Sequence, residues 1–293
     1  MKKQKIIFAF IVIFILASCS SSPRNTGEVY HLRMQAETLL DSANKEVSRG
    51  NYNNSLILVN ESKRYALLCD DPSLITRTSL TRGNVLYYLG RIDDAFDEWE
   101  QAIKEATMFG SGELISVSRI YLARGNLISG RVSAQEIYDE VSKESENITD
   151  RLYTAFSWQV RGFALRALGQ WEEAEHAIMQ SLALHESNRF FENTAYDWYT
   201  IASIRSLSGD YDRAIYALDM SIFYDRRVEN SWGLAASYRA KGDVYHNDEN
   251  YEEAIEAYKR ARAIYAAMGN DYEIFEVDTR LRIINEIIDN IDE

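Results

Sequence analysis

The apolar positions near the end of the chain fall at helical spacing. Tyr251, Ala254, Ile255, Tyr258, Ala261 and Tyr265 share one face of a helix, with charged residues on the other. Glu252, Glu253 and Glu256 precede Lys259, Arg260 and Arg262, the order a helix dipole favours, and Asn250 is placed to cap the start. The segment 270–293 repeats the pattern with Ile274, Val277, Leu281, Ile284 and Ile288, and predicts one more helix. The only prolines are Pro23 and Pro72, so little interrupts a chain helical nearly throughout.

This pattern recurs. Gly50, Gly90, Gly130, Gly169 and Gly209 follow one another at spacings of 40, 40, 39 and 40, and the next step lands on Glu249. Two residues after each mark stands a large apolar side chain: Tyr52, Ile92, Val132, Trp171, Tyr211 and Tyr251. Three further on come Ser55, Ala95, Ala174, Ala214 and Ala254, with Ala134 one residue early in the third unit. Seven beyond lie Ser62, Ala102, Ser181, Ser221 and Ala261, and seven before each mark lie Ala43, Gly83, Ala123, Gly162, Ala202 and Gly242. Each unit therefore reads as a helix, a tight turn at the glycine and a second helix, with small residues where helices cross closely.

These offsets resemble the tetratricopeptide repeat, and Trp158, Trp198 and Tyr238 match that family's early aromatic in units four to six. The resemblance implies an all-α, right-handed solenoid of about six helix-turn-helix units over 29–269, closed by a capping helix at 270–293. The period of 40 exceeds the family's usual 34, which predicts longer helices or longer loops such as "HESNRFFENTAYDW". The third unit, with the short turn "GRVSA", is expected to pack irregularly.

The first residues place Lys2, Lys3 and Lys5 before the apolar run Ile6 to Leu16, which ends at Ala17, Ser18 and Cys19. A charged start, a short apolar run and small residues predict a signal peptide at 1–18, the run being short of the roughly 20 residues a spanning helix needs. "LASC" resembles the bacterial lipobox. That resemblance implies acylation of Cys19, palmitate among the chains, and anchorage in the bacterial cell envelope without spanning it, with 19–28 as a polar tether. Ser20 after the cysteine resembles outer-membrane sorting, which implies a protein facing the periplasm.

The net charge is −13, and loss of the three leader lysines makes the mature chain more negative still. Such a surface repels nucleic acid and anionic head groups. With Cys19 lipidated, Cys69 is the only other cysteine, so no internal disulfide is expected, and its place at the end of an apolar helix reads as a buried small hydrophobe. His31, His176, His185 and His246 are scattered, with no metal-ligand spacing; His176 and His185 read as packing or surface residues. No nucleophile elbow, phosphate loop or paired-cysteine motif occurs, so neither catalysis nor a cofactor is indicated.

In the resembled family the first helices line a concave groove. Carried over by offset, its wall comprises Arg77, Asn84, Tyr87 and Tyr88 in unit two and Arg124 in unit three. Phe156, Gln159, Phe163 and Arg166 follow in unit four, Tyr196, Tyr199 and Ser203 in unit five, and Arg239, Asp243 and His246 in unit six. Aromatic and guanidinium groups are the residue types that dominate protein-binding hot spots, and arginines accept carboxylates. Leu40 and Leu80 stand where a paired lysine and asparagine clamp would want cations, so that activity is not predicted. Three functions fit: a tethered scaffold binding a protein or peptide in envelope assembly or secretion, a small-ligand accessory lipoprotein beside a transporter, or a self-associating module.

Overall fold

The computed structural model describes residues 31–292 of the 293. The leader, Cys19, the tether and the first residues of unit one lie outside the described residues. Thirteen helices follow one another: α1 His31–Ser48, α2 Tyr52–Leu68, α3 Pro72–Tyr88, α4 Ile92–Met108, α5 Gly112–Ile128, α6 Ala134–Ser145, α7 Arg151–Ala167, α8 Trp171–Ser187, α9 Phe191–Leu207, α10 Tyr211–Arg227, α11 Ser231–Asn247, α12 Tyr251–Ala267 and α13 Asp271–Asp292. Each packs on its neighbours in the chain, and first helices of successive units also touch, so the architecture is an all-α solenoid of six hairpins and a terminal helix.

The long period has one cause. Ten of the helices contain 17 residues each, and three-residue turns join most of them. Asn188 to Phe190 is one such turn, so the stretch "HESNRFFENTAYDW" is helix on both sides and the long-loop alternative is set aside. Second turns complete the series at half the period: Asp70, Gly110, Arg189, Glu229 and Gly269 have positive φ, as do Gly50, Gly90, Gly130, Gly169, Gly209 and Glu249. At these positions the chain leaves one helix through a left-handed residue, and two backbone bonds close it. In the fifth unit Gly209 N donates to Ser206 O at 3.1 Å and Asp210 N to Arg205 O at 2.9 Å. Glu249 adopts φ 60 without glycine's freedom, and its turn closes in the same way, Glu249 N donating to His246 O and Asn250 N to Tyr245 O.

The small residues sit where helices meet. Ala43, Ala95, Ala174, Ala214, Ala254, Ser55, Ser62 and Ser181 are fully buried. Ser62 Oγ donates to Ala36 O at 2.6 Å and Ser221 Oγ to Ala195 O at 2.9 Å, so the hydroxyls also tie second helices to first. Closest of all is Trp99 on α4. A Cβ added at Gly83 would lie 2.4 Å from its Nε1, and one at Gly125 2.3 Å from its Cζ3. The indole is slotted between glycines of α3 and α5. The third unit departs from the others, but by a longer turn and not the short one its sequence suggests: five residues, 129–133, lead into α6, which is only 12 residues long, and Ala134 is only half-buried. The terminal helix α13 buries Val277 and Ile284 against the sixth unit.

Candidate functional site: the concave groove

The first helices α3, α5, α7 and α9 present a wall of arginines and tyrosines to the inside of the curve. Arg77, Arg124 and Arg166 are half-buried and, among the described residues, have no carboxylate within ion-pair distance. Arg124 Nη2 donates to Asn84 Oδ1 at 2.7 Å and Arg166 Nη1 to Ser203 Oγ at 3.0 Å, both neutral acceptors, while the buried Nε of Arg124 has no partner. Several arginines elsewhere are paired instead. Arg205 meets Glu175 at 2.6 Å and Arg262 meets Asp278 at 2.6 Å.

Phenols surround these cations. Tyr121 and Phe156 pack with ring centres 4.4 Å apart, and the Arg124 guanidinium lies 5.6 Å from each ring. Tyr196 stacks along Tyr199 at 6.4 Å. Its ring is half-exposed, yet desolvation pushes its phenol up to about 12, the nearby Tyr88 adding to the rise and Arg124 and Arg166 opposing it. A side chain both reached by solvent and walled by protein lies within a deep concavity. Burial likewise raises Tyr121 and Tyr153, against the opposing field of Arg77.

Other residues carried over by offset go elsewhere. Gln159 is buried and donates to Asp197 at 2.6 Å, and Phe163 belongs to the core beside Ile201 and Ala202, so neither is available to a partner. Tyr87 packs on Trp99. Arg239 is taken up by Glu273 of α13, and Asp243 accepts from Tyr258 Oη at 2.6 Å and Arg280 Nε at 3.0 Å. His246 lies against Tyr251. The groove therefore runs from unit two to unit five, and the terminal helix occupies its sixth-unit end.

The two ends of the solenoid meet. The first turn, at Gly50, lies against Trp232 and Met268 of unit six, and a Cβ there would stand 3.1 Å from Met268 Cε and 3.2 Å from Trp232 Cε3. Tyr52 stacks on Tyr88 at 5.2 Å and meets Trp232 edge-on at 5.9 Å. Helices α1 and α11 are thus in contact, and the groove is the inner wall of a closed turn.

Comparison with known proteins bears on this geometry. A model described as "Tetratricopeptide repeat" matches residues 235–267, the core of unit six. No curated protein matches the chain by sequence. Among solved structures, a Rap protein complexed with Competence and Sporulation Factor is similar, with a TM-score of 0.58 at 13% identity over 87% of this chain and 76% of that one. BtubC (BKLC) from P. vanneervenii aligns with a TM-score of 0.54 at 17% identity, covering 81% and 93%. A signal-transduction ATPase with a tetratricopeptide repeat sensor from Pyrococcus horikoshii gives 0.51 at 14%, covering 87% and 43%. The fold is a tetratricopeptide-repeat solenoid.

Within the tetratricopeptide-repeat solenoid, sequence reasoning missed Tyr52, Tyr121 and Tyr153, because Tyr121 and Tyr153 fall outside the offsets carried over and Tyr52 lies on a second helix. It also missed a buried polar seam between units. His185 is fully buried rather than at the surface, and its Nδ1 lies 2.6 Å from Asp197 Oδ2. Ser181 Oγ donates to the same carboxylate at 3.1 Å. His185 Nε2 is buried without a partner, so the serine and the free ring nitrogen form no nucleophile–base pair, and no reactant can reach them. His176, by contrast, is exposed. Cys69 is only half-buried, correcting its reading as a core residue; its Sγ lies 3.3 Å from Ala66 O at the end of α2. No described helix is long and apolar enough to cross a membrane, and among the described residues no cluster of three metal-ligating side chains occurs.

Proposed function

We propose that this protein is a binding scaffold whose closed groove takes an extended, anionic segment of a partner protein, and that the acylated Cys19 holds it at a bacterial envelope membrane, the outer membrane facing the periplasm. The observation that carries the reading is the set of three half-buried guanidiniums, Arg77, Arg124 and Arg166, left without carboxylates in a protein of net charge −13. A carboxylate offers a guanidinium stronger, bidentate hydrogen bonds than the amide and hydroxyl it now contacts. The flanking tyrosines supply rigid apolar area at little entropic cost. The Rap structure complexed with Competence and Sporulation Factor supports ligand binding on this fold. Envelope assembly or secretion is the setting that the leader and lipobox favour.

Closure of the wall at Gly50 and Trp232 favours a second reading, a small organic acid held inside the turn. One experiment separates the two. A capped peptide alternating glutamate and leucine, its glutamine twin and a free dicarboxylate such as glutarate are titrated into the protein and into an Arg77→Ala, Arg124→Ala, Arg166→Ala variant of unchanged melting point. The expected result is binding of the glutamate peptide alone, weakened at least about tenfold in the variant. Equal binding of the glutamine twin overturns the anionic groove, and preference for glutarate supports the second reading. In cells, Cys19→Ser is expected to move the protein from the membrane to the soluble fraction, and retention at the membrane overturns the tether.

A further inference from the structure

A cleft of about 900 Å³ lies on the other side of α11 from Arg239 and Asp243, between the parallel second helices α10 and α12. Ile222 and Phe223 from α10, Ala257 from α12 and the rings of Tyr238 and Tyr245 from α11 give it an apolar interior. Its charges are sorted by end. Toward the C-terminal ends of α10 and α12, Arg226 Nη2 and Arg260 Nη1 both donate to Tyr238 Oη, at 2.6 and 3.4 Å. Among the described residues neither guanidinium has a carboxylate partner. Two turns toward the helix starts the walls carry Asp219 and Glu253, and one turn toward the start of α12 Glu256, of which Asp219 is held by Lys241 and Glu256 by Lys259.

The preceding pair of units explains why the space is open. Forty residues earlier, the positions of Tyr238 and Glu256 hold Trp198 and Tyr216, whose rings meet edge-on at 6.0 Å. The positions of Arg226 and Arg260 hold Glu186 and Met220. The repeat therefore fills this place with aromatic contact in one pair of units, and in the next substitutes a glutamate and two arginines around an emptied apolar floor.

We propose that this cleft is a second binding site, separate from the groove, for a small organic monoanion with an apolar body. Its carboxylate displaces the phenol of Tyr238 from Arg226 and Arg260, exchanging one shared neutral acceptor for an ionised one with two oxygens. Its body lies over Ile222, Ala257 and Tyr245, and the volume suits a single small molecule. The acidic end rejects a second negative charge about 10 Å away, the rise of two helical turns.

The test uses chain-matched probes: octanoate, octanol and octanedioate, titrated by calorimetry below micellar concentrations into the whole protein. Octanoate is expected to bind one site, octanol at least about tenfold more weakly, and octanedioate more weakly than octanoate. Arg226→Ala with Arg260→Ala should lower octanoate affinity at least about tenfold, whereas Tyr238→Phe, which keeps the ring and the apolar wall, should retain it. Glu253→Gln should narrow the gap between octanedioate and octanoate. The groove variant lacking Arg77, Arg124 and Arg166 should bind octanoate as before, which keeps a failure here distinct from a failure there. Equal binding of octanol, or full octanoate binding by the double arginine variant, overturns the site.

Discussion

Two seams of the solenoid bury a carboxylate at the same height, one repeat apart, and solve the problem differently. Between units four and five it is Asp197, on the first helix α9, facing His185 on α8. Between units five and six the positions 40 residues on are Ser237 and Asp225, so the acid has changed sides and now stands on the second helix α10. Both acids are almost fully buried. Asp197 receives Gln159 Nε2 at 2.6 Å, His185 Nδ1 at 2.6 Å and Ser181 Oγ at 3.1 Å. Asp225 receives Asn230 Nδ2 at 2.7 Å and only a long bond, 3.5 Å, from Ser237. Desolvation raises both carboxyls, that of Asp225 to about 7, with Glu192 adding to the rise and no cation opposing it. The backbone tolerates an acid on either side of the seam, and the donors around it decide what its charge costs.

The largest effect should come from breaking the seam richer in donors. His185→Ala leaves Asp197 buried without its closest imidazole donor, and removal of one member of a buried pair costs about 3–5 kcal/mol. Denaturant unfolding at neutral pH measures it. A loss below about 1 kcal/mol would mean that Gln159 and Ser181 suffice, and that the two seams differ less than their donors suggest.

Asp225→Asn should do the reverse and stabilise. The folded carboxyl titrates near 7 and the unfolded one near its ordinary 3.8, so below the lower value both states are protonated and the group is neutral in effect. As pH rises toward 7 the unfolded chain ionises first, folding is penalised, and the penalty is complete above the folded value. The substitution is therefore expected to change little at pH 4 and to gain up to about 4 kcal/mol at pH 8, where the shift is fully expressed. Equal effects at the two pH values would show that the carboxylate is solvated in a way its neighbours do not reveal.

Why the sequence discloses the frame more readily than these sites follows from the repeat itself. Turns and close helix crossings permit few residue types, so Gly209 and Ala214 announce themselves, and even Glu249 could be located by counting. The turns between units were harder to see, because Asp70, Arg189 and Glu229 hold the left-handed conformation without glycine. One residue after the small position of the first helix, the register holds Asn84, Arg124, Phe163, Ser203 and Asp243. This is the border of groove and core, where Arg124 turns into the groove and Phe163 of the same register stays inside. Counting identifies the border, but side-chain length and polarity choose the side. The closure at Gly50 and the pairing of His185 with Asp197 depend on contacts between units, which a periodic pattern does not encode.

The smallest expected change separates the seams most finely. Ser237→Ala removes the 3.5 Å donor to Asp225 and the 3.0 Å contact between Ser237 and Ser221, while Ser221 keeps its bond to Ala195 O. A net loss of about 1 kcal/mol is expected, as for one hydrogen bond. Its dependence on pH carries the argument. If Ser237 serves the ionised carboxylate, the loss grows between pH 5 and pH 8, following Asp225 through its raised titration. If the loss is the same at both, the hydroxyl serves Ser221 alone, and Asp225 relies on Asn230 as its one effective donor.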